Sequence, residues 1–199
     1  MASEVEICNV ALGRLGIDQF IEALDSSSSR SRACLNFYAP SRDAVLEEID
    51  WSFAESEIAL ATLSTTRNGW AYQYRYPSDC LRARYVTDES GIRNNTTYAA
   101  TPFKLGNDDT GKTILTDLES AYLIYTKQII NPNVFSALFR SALSWRLAWE
   151  IGLTLRIDAA ISQNALAMYR NELSIAAAHD ANQYIADKPA DSLSIRGRA

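Results

Sequence analysis

The sequence predicts an α+β protein: a helical bundle built from the two ends of the chain, an antiparallel β module inserted between them, and an extended C-terminal arm. Three observations predict it. Apolar residues recur at helical spacing before residue 50 and again after residue 131. Between about 58 and 128 the period changes from helical to alternating. After Ala186 the apolar periodicity stops.

The first helix is expected over 3–16. Ser3 can cap it, with Glu6 at the capping-box spacing; Val5, Cys8, Leu12 and Leu15 share a face, and Gly16 ends it. The serine-rich stretch Asp25–Ser29 reads as a loop into a second helix over 31–49. There Ala33, Phe37, Val45 and Ile49 can face a core, and Pro40 breaks or kinks the helix near Tyr38. Trp51-Ser52-Phe53-Ala54 follows as an aromatic plug, Trp51 and Phe53 fixing how this helix packs on the later pair. The acids Glu47, Glu48 and Asp50 read as a solvated helix end, since a metal or catalytic role needs partners that the sequence does not announce.

In the β module Tyr72, Tyr74 and Tyr76 alternate with Gln73 and Arg75. After the turn Pro77-Ser78-Asp79, Leu81, Ala83 and Tyr85 alternate with Arg82 and Arg84. Short strands follow near 103–105, 114–116 and 121–126, with loops at Asn68-Gly69 and 91–95, giving an antiparallel meander. No Pro-, Gly- or Ser-rich linker divides the chain, so 1–186 is expected to be one domain.

A helix over 132–155 is expected next, with Asn131 as its cap and Pro132 in its first turn. Phe135, Leu138, Phe139, Ala142, Trp145, Trp149 and Gly152 line one face. Leu143, Leu147, Ile151 and Leu155 form a second apolar row, and Ser136, Arg140 and Ser144 leave only a thin polar stripe. Such a helix is buried on most sides, so Phe135, Phe139, Trp145 and Trp149 are expected to pack against helices or subunits. The last helix, over 157–186, places Leu166, Tyr169, Leu173, Ala176 and Asp180 on one side and alanines, which permit close approach, around the rest. In the remainder, 187–199, Leu193 and Ile195 would share a face if extended. The segment reads either as a frayed terminus or as an arm that adds to a partner's surface.

The net charge of −5 argues against a protein that coats nucleic acid or an anionic membrane, both of which demand a basic face. Cys8, Cys34 and Cys80 are odd in number and widely spaced, as expected for free, buried thiols in a reducing cytosol. Glu4 and Glu6 stand where a signal peptide wants positive charge, and no apolar run approaches the length of a membrane span, so a soluble, non-secreted protein is expected.

One string demands a chemical reading. Residues 106–113, GNDDTGKT, satisfy the phosphate-loop pattern GxxxxGK[ST], with Gly106, Gly111, Lys112 and Thr113 at the defining positions. Its context fails. A phosphate loop follows a buried strand and opens a helix, whereas short strand patterns lie on both sides here, and Asp108 and Asp109 would place negative charge in the cradle. A hairpin turn is expected instead. The tyrosine row with Arg75, Arg82, Arg84 and Arg93 has the composition of a sheet that stacks single-stranded nucleic acid. The competing reading packs the tyrosines on the helices and turns the arginines to solvent or a neighbouring subunit. His179 is the only histidine, which removes His-based metal sites and Ser-His-Asp triads. No catalytic residue, metal or cofactor is expected.

Taken in order, the segments EICNVALGRLG, RACLNFYAPSRDAVLEEIDWSFA, YQYRYPSDCLRA, FKLGNDDTGKTILTD, AYLIYT and NPNVFSALFRSALSWRLAWEIG, with the Ala-rich helix after them, resemble the head-to-tail adaptor proteins of short-tailed bacteriophages, the tail tubular protein A family. The resemblance spans about 4–186. It implies a structural virion protein at the head–tail junction: a ring, typically of twelve subunits, docked between the portal protein and the tail nozzle protein, through which genomic DNA passes without sequence-specific binding. It also implies that the Gly-rich turn is structural, and that the arm reaches the portal through Leu193, Ile195 and Arg196. Another virion connector or tail-completion ring protein would share most of these features.

Overall fold

The computed structural model describes residues 3–63, 69–89 and 101–182. The expected arm at 187–199, with Leu193, Ile195 and Arg196, lies outside the described residues, as do the 91–95 loop, Arg93 and the last residues of the expected final helix. The chain is α+β: helices from both ends of the sequence share one core, and two small antiparallel sheets lie between them in sequence.

Helix α1 (Glu4–Arg14) starts where Ser3 Oγ accepts the Glu6 amide at 3.0 Å. Just beyond it Gly16 takes φ +77, a conformation that a side chain would strain. Helix α2 (Ser29–Glu48) is capped by Ser28, which accepts the Ser31 amide, and it runs through Pro40 without breaking. The ring sits on the exposed side, while Tyr38, Ser41, Arg42 and Val45 are buried around it. Packing on both sides of the proline therefore offsets the lost backbone bond.

Helix α3 (Ala137–Thr154) begins later than the expected 132. Asn131 does cap, but it caps a 3-10 turn, Pro132–Val134, by accepting the Asn133 amide. Phe135 is extended, and Ser136 then caps α3 by accepting the Phe139 amide at 3.1 Å. Helix α4 (Ala159–Ala181) starts on the Asp158 carboxylate, which accepts the Ala160 amide. Between them Arg156 takes φ +55. A Cβ on Gly152 would stand 3.0 Å from Ser162 Oγ, so glycine sets how closely α3 and α4 pack. The shared core joins Cys8, Ala11 and Leu12 of α1 and Cys34, Val45 and Leu46 of α2 with Leu143, Leu147 and Ile151 of α3 and Tyr169 and Ala176 of α4.

Among the described residues the strands are β1 (Glu55–Ala59), β2 (Tyr72–Arg75), β3 (Cys80–Thr87), β4 (Phe103–Asp108), β5 (Gly111–Thr116) and β6 (Tyr122–Lys127). They do not form a meander. One sheet has the order β1-β6-β3 and the other β2-β5-β4, and among these strands only β4 and β5 pair as sequence neighbours. At Pro77-Ser78-Asp79 the chain crosses from one sheet to the other. The module begins at Glu55 rather than near 58. Its first strand, ESEIA, lies at a sheet edge with mostly exposed side chains and carries no alternating apolar signal. Tyr74 and Ile114 of one sheet meet Val86, Leu123 and Tyr125 of the other in a second core. The tyrosine row therefore packs between the sheets and not on the helices.

Candidate functional site

The phosphate-loop string lies on the β4–β5 hairpin. Gly106 pairs with Thr113, Asn107 with Lys112 and Asp108 with Gly111, leaving Asp109 and Thr110 as the turn. Gly111 takes φ +142, which only glycine adopts without strain. Thr113 is fully buried, and its Oγ1 lies 3.1 Å from where a Cβ on Gly106 would stand. That hydroxyl points into the sheet, with no hydrogen-bond partner. Lys112 Nζ lies 5.4 Å above the ring of Tyr76. Asp108 receives Arg75 through two hydrogen bonds, at 2.9 and 2.7 Å, and Thr110 through its amide and hydroxyl. These bonds, Arg75 first, hold its carboxyl well below the usual carboxylate range. No helix follows the string, so its amides form a ladder rather than a cradle. The groove beside it, with Arg75, Tyr76, Cys80 and Lys112 in its wall, has its cysteine inside the fold: burial pushes the Cys80 thiol up to about 11.

Arg75, Arg82 and Arg84 are each engaged by carboxylates within the chain; Arg75 and Arg82 stay about one-third exposed and only Arg84 of the three is buried. Arg82 pairs with Asp50. Arg84, whose side chain is only 3% exposed, pairs with Asp50 at 2.9 Å and Glu55 at 2.8 Å. It also donates to Thr126 Oγ1 and to the Trp51 carbonyl. Asp50 is exposed, as expected of a solvated helix end, and its pairs with Arg82 and Arg84 also tie the end of α2 to β3. Glu48 of the same cluster accepts the Tyr169 hydroxyl at 2.6 Å and pairs with Arg146, whose guanidinium lies over the rings of Trp149 and Tyr169.

The aromatic plug sits where the halves meet. Trp51 is fully buried, packs edge-on against Phe139 with centroids 5.1 Å apart, and donates its indole N–H to the Val45 carbonyl. Phe53 packs against Phe135 and Phe139. Asp180, near the end of α4, accepts the amide and the hydroxyl of Ser52, both at 2.8 Å. The helical period placed Asp180 on the packing face but gave no hint of this partner.

Sequence reasoning also missed a pocket of about 180 Å³ between α1 and α3, lined by Glu6, Ile7, Val10, Arg14, Arg140 and Ser144 among others. Arg14 donates to the carbonyl and hydroxyl of Ser141, at 2.7 and 2.9 Å, and its guanidinium stands 4.1 Å from the centre of the Trp145 ring. Burial pulls Arg14 down to about 10, which leaves it cationic at neutral pH. Arg140 donates to the Phe135 carbonyl. The two arginines are 126 positions apart in sequence, so no local motif could have joined them.

Among the described residues no group of three or more His, Cys, Asp or Glu side chains is placed to hold a metal. The single histidine, His179, is exposed on α4, and Cys8, Cys34 and Cys80 are unpaired, buried thiols. No helix among the described residues is long and apolar enough to cross a membrane. What the chain offers is packing surface and internally compensated charge, and no family model and no curated protein matches it.

Proposed function

We propose that this chain is a structural adaptor that assembles into a ring at a virus head–tail junction, between portal and tail nozzle, and that it carries out no chemistry of its own. The order of sequence segments resembling the tail tubular protein A family motivates the reading. The observation that carries it furthest is the presence of apolar side chains exposed on different helices. Val10 of α1 and Phe20 just beyond it are exposed, and so are Leu153 at the end of α3 and Ile161 and Ile175 of α4. A subunit with two unlike sticky surfaces is built for head-to-tail contacts, and such contacts close into a ring when the rotation per subunit allows. The arginine pairs support it from the other side. Arg75, Arg82 and Arg84 are neutralised within the chain, which suits a wall past which DNA slides better than a surface that grips phosphates.

Co-sedimentation with portal rings from the same virus tests the proposal. The expected result is binding that saturates at about one chain per portal subunit, the stoichiometry of closed rings. Failure to bind, with the chain folded, would sink it. An ATP titration closes the remaining enzymatic reading: the native chain and Lys112→Ala are both expected to show no saturable binding.

A further inference from the structure

We infer that the outward face of α4 is where two copies of this chain pair, antiparallel, about a two-fold axis at Met168. Ser162, Ala165, Tyr169, Ala176 and Asp180 are buried and turn one side of the helix to the core. Away from that side, Ile161, Asn164, Met168, Asn171, Ile175 and Ala178 recur at steps of three and four, so they form a single row along the helix. Ile161 and Ile175 are 43% and 47% exposed, Asn164, Asn171 and Ala178 are exposed, and Met168 is half-buried. Three large apolar side chains thus stand seven residues apart on a side turned from the core, with no charged residue in their row.

The order of the row names its occupant. About Met168 it reads Ile, Asn, Met, Asn, Ile, nearly the same in both directions. Laid antiparallel on a copy of itself, Met168 meets Met168, Ile161 stands level with Ile175, and Asn164 lies within one residue's rise of Asn171. An asparagine amide both donates and accepts, so the facing pairs satisfy one another. Antiparallel helices also set their dipoles in opposition, which favours this direction over a parallel one. Lipid would leave both amides without partners, and an anion would find no cation in the row. Ala167 and Ser174 border the row and are small, so two helices can approach closely there.

The area sets the strength. Helix α4 has 23 residues, which makes it about 35 Å long. One such helix pair buries on the order of 500 Å² per copy, at the small end of specific interfaces, so the pair forms and parts with protein concentration. The inference concerns the free chain and does not rest on the adaptor reading. Where that reading holds, a two-fold contact uses up this face, and the pair has to part before α4 can join a ring.

Sedimentation velocity of the full-length chain, without portal, tests the pairing. Over about a hundredfold range of concentration the native chain is expected to shift from monomer to dimer and no further. Asn164→Lys/Asn171→Lys sets cations opposite one another and is expected to weaken pairing about tenfold or more. Asn164→Lys/Asn171→Glu sets opposite charges level across an antiparallel pair and is expected to dimerise at least as tightly as the native chain. Both positions are exposed, so thermal melts of the two variants should match the native chain within a few degrees and separate lost pairing from lost folding. With oxidised glutathione, Met168→Cys is expected to give a disulfide-linked dimer. Ile161→Cys, whose two copies would stand about 21 Å apart along the axis, is not. The native Cys8, Cys34 and Cys80 are buried, and the native chain supplies the baseline. A native chain that stays monomeric, or that grows into larger oligomers, would overturn the proposal. So would pairing unchanged in Asn164→Lys/Asn171→Lys, pairing lost in Asn164→Lys/Asn171→Glu, or Ile161→Cys linking as readily as Met168→Cys.

Discussion

Thr113 shows how little a matching string says without its surroundings. Its hydroxyl is buried without a partner, so Thr113→Val removes an unsatisfied group and keeps the shape; unfolding in urea should show stability unchanged or raised by about 1 kcal/mol. A threonine serving a ligand would instead leave a loss of binding. Arg156 makes a second residue-scale case. It holds φ +55 in an exposed turn, and Arg156→Gly is expected to raise stability by about 0.5–1 kcal/mol in the same assay, because glycine meets that conformation without strain. Asp108 gives a pH dependence. Its folded pKa is depressed, chiefly by Arg75, so its contribution is present above the unfolded carboxylate value of about 4 and is lost as pH falls through the lower folded value. The stability difference between the native chain and Asp108→Asn should therefore be constant above about pH 5 and shrink below it.

At the scale of elements, Asp180→Ala tests the tie between α4 and the plug. It leaves the Ser52 amide and hydroxyl without their acceptor, and a loss of about 1–3 kcal/mol is expected in denaturant titrations, with the helical signal retained in native buffer. The same scale shows what could be read from the sequence alone. The helices were legible, because Leu143, Leu147 and Ile151 or Tyr169 and Ala176 repeat at a spacing that only a helix puts on one side. The α3 start was displaced because Asn131-Pro132 is a genuine capping signal that a 3-10 turn used first. Pro40 misled because propensity is local, whereas the burial of Tyr38, Ser41 and Arg42 is tertiary. Sheet order was illegible for the same reason: β1 finds β6 across more than sixty residues, and nothing in ESEIA names that partner. The hairpin was legible from its charges and flanking strands, while the α1–α3 pocket was not, since Arg14 and Arg140 meet only once the ends of the chain have packed together.

For the whole molecule, the prediction concerns assembly. Ile161→Asp with Ile175→Asp charges the exposed side of α4 without touching the core, so the monomer should melt within a few degrees of the native chain. Under the adaptor reading the double variant is expected to lose ring formation on portal, seen as loss of the saturating band in co-sedimentation. If it binds as well as native protein, α4 is not a subunit contact and the ring would have to be joined elsewhere.

The shared helical core has a consequence for the birth of the protein. Cys8, Leu12, Cys34 and Leu46 complete their packing only against Phe139, Leu147 and Tyr169, so during translation the first fifty residues wait while the strands are made. The hairpin β4–β5 has its partner at hand as soon as it emerges, whereas the bundle has to close over a gap of about ninety residues. A ribosome stalled near residue 130 is therefore expected to display a protease-sensitive N-terminal segment, and one stalled with residue 182 clear of the exit tunnel a resistant one.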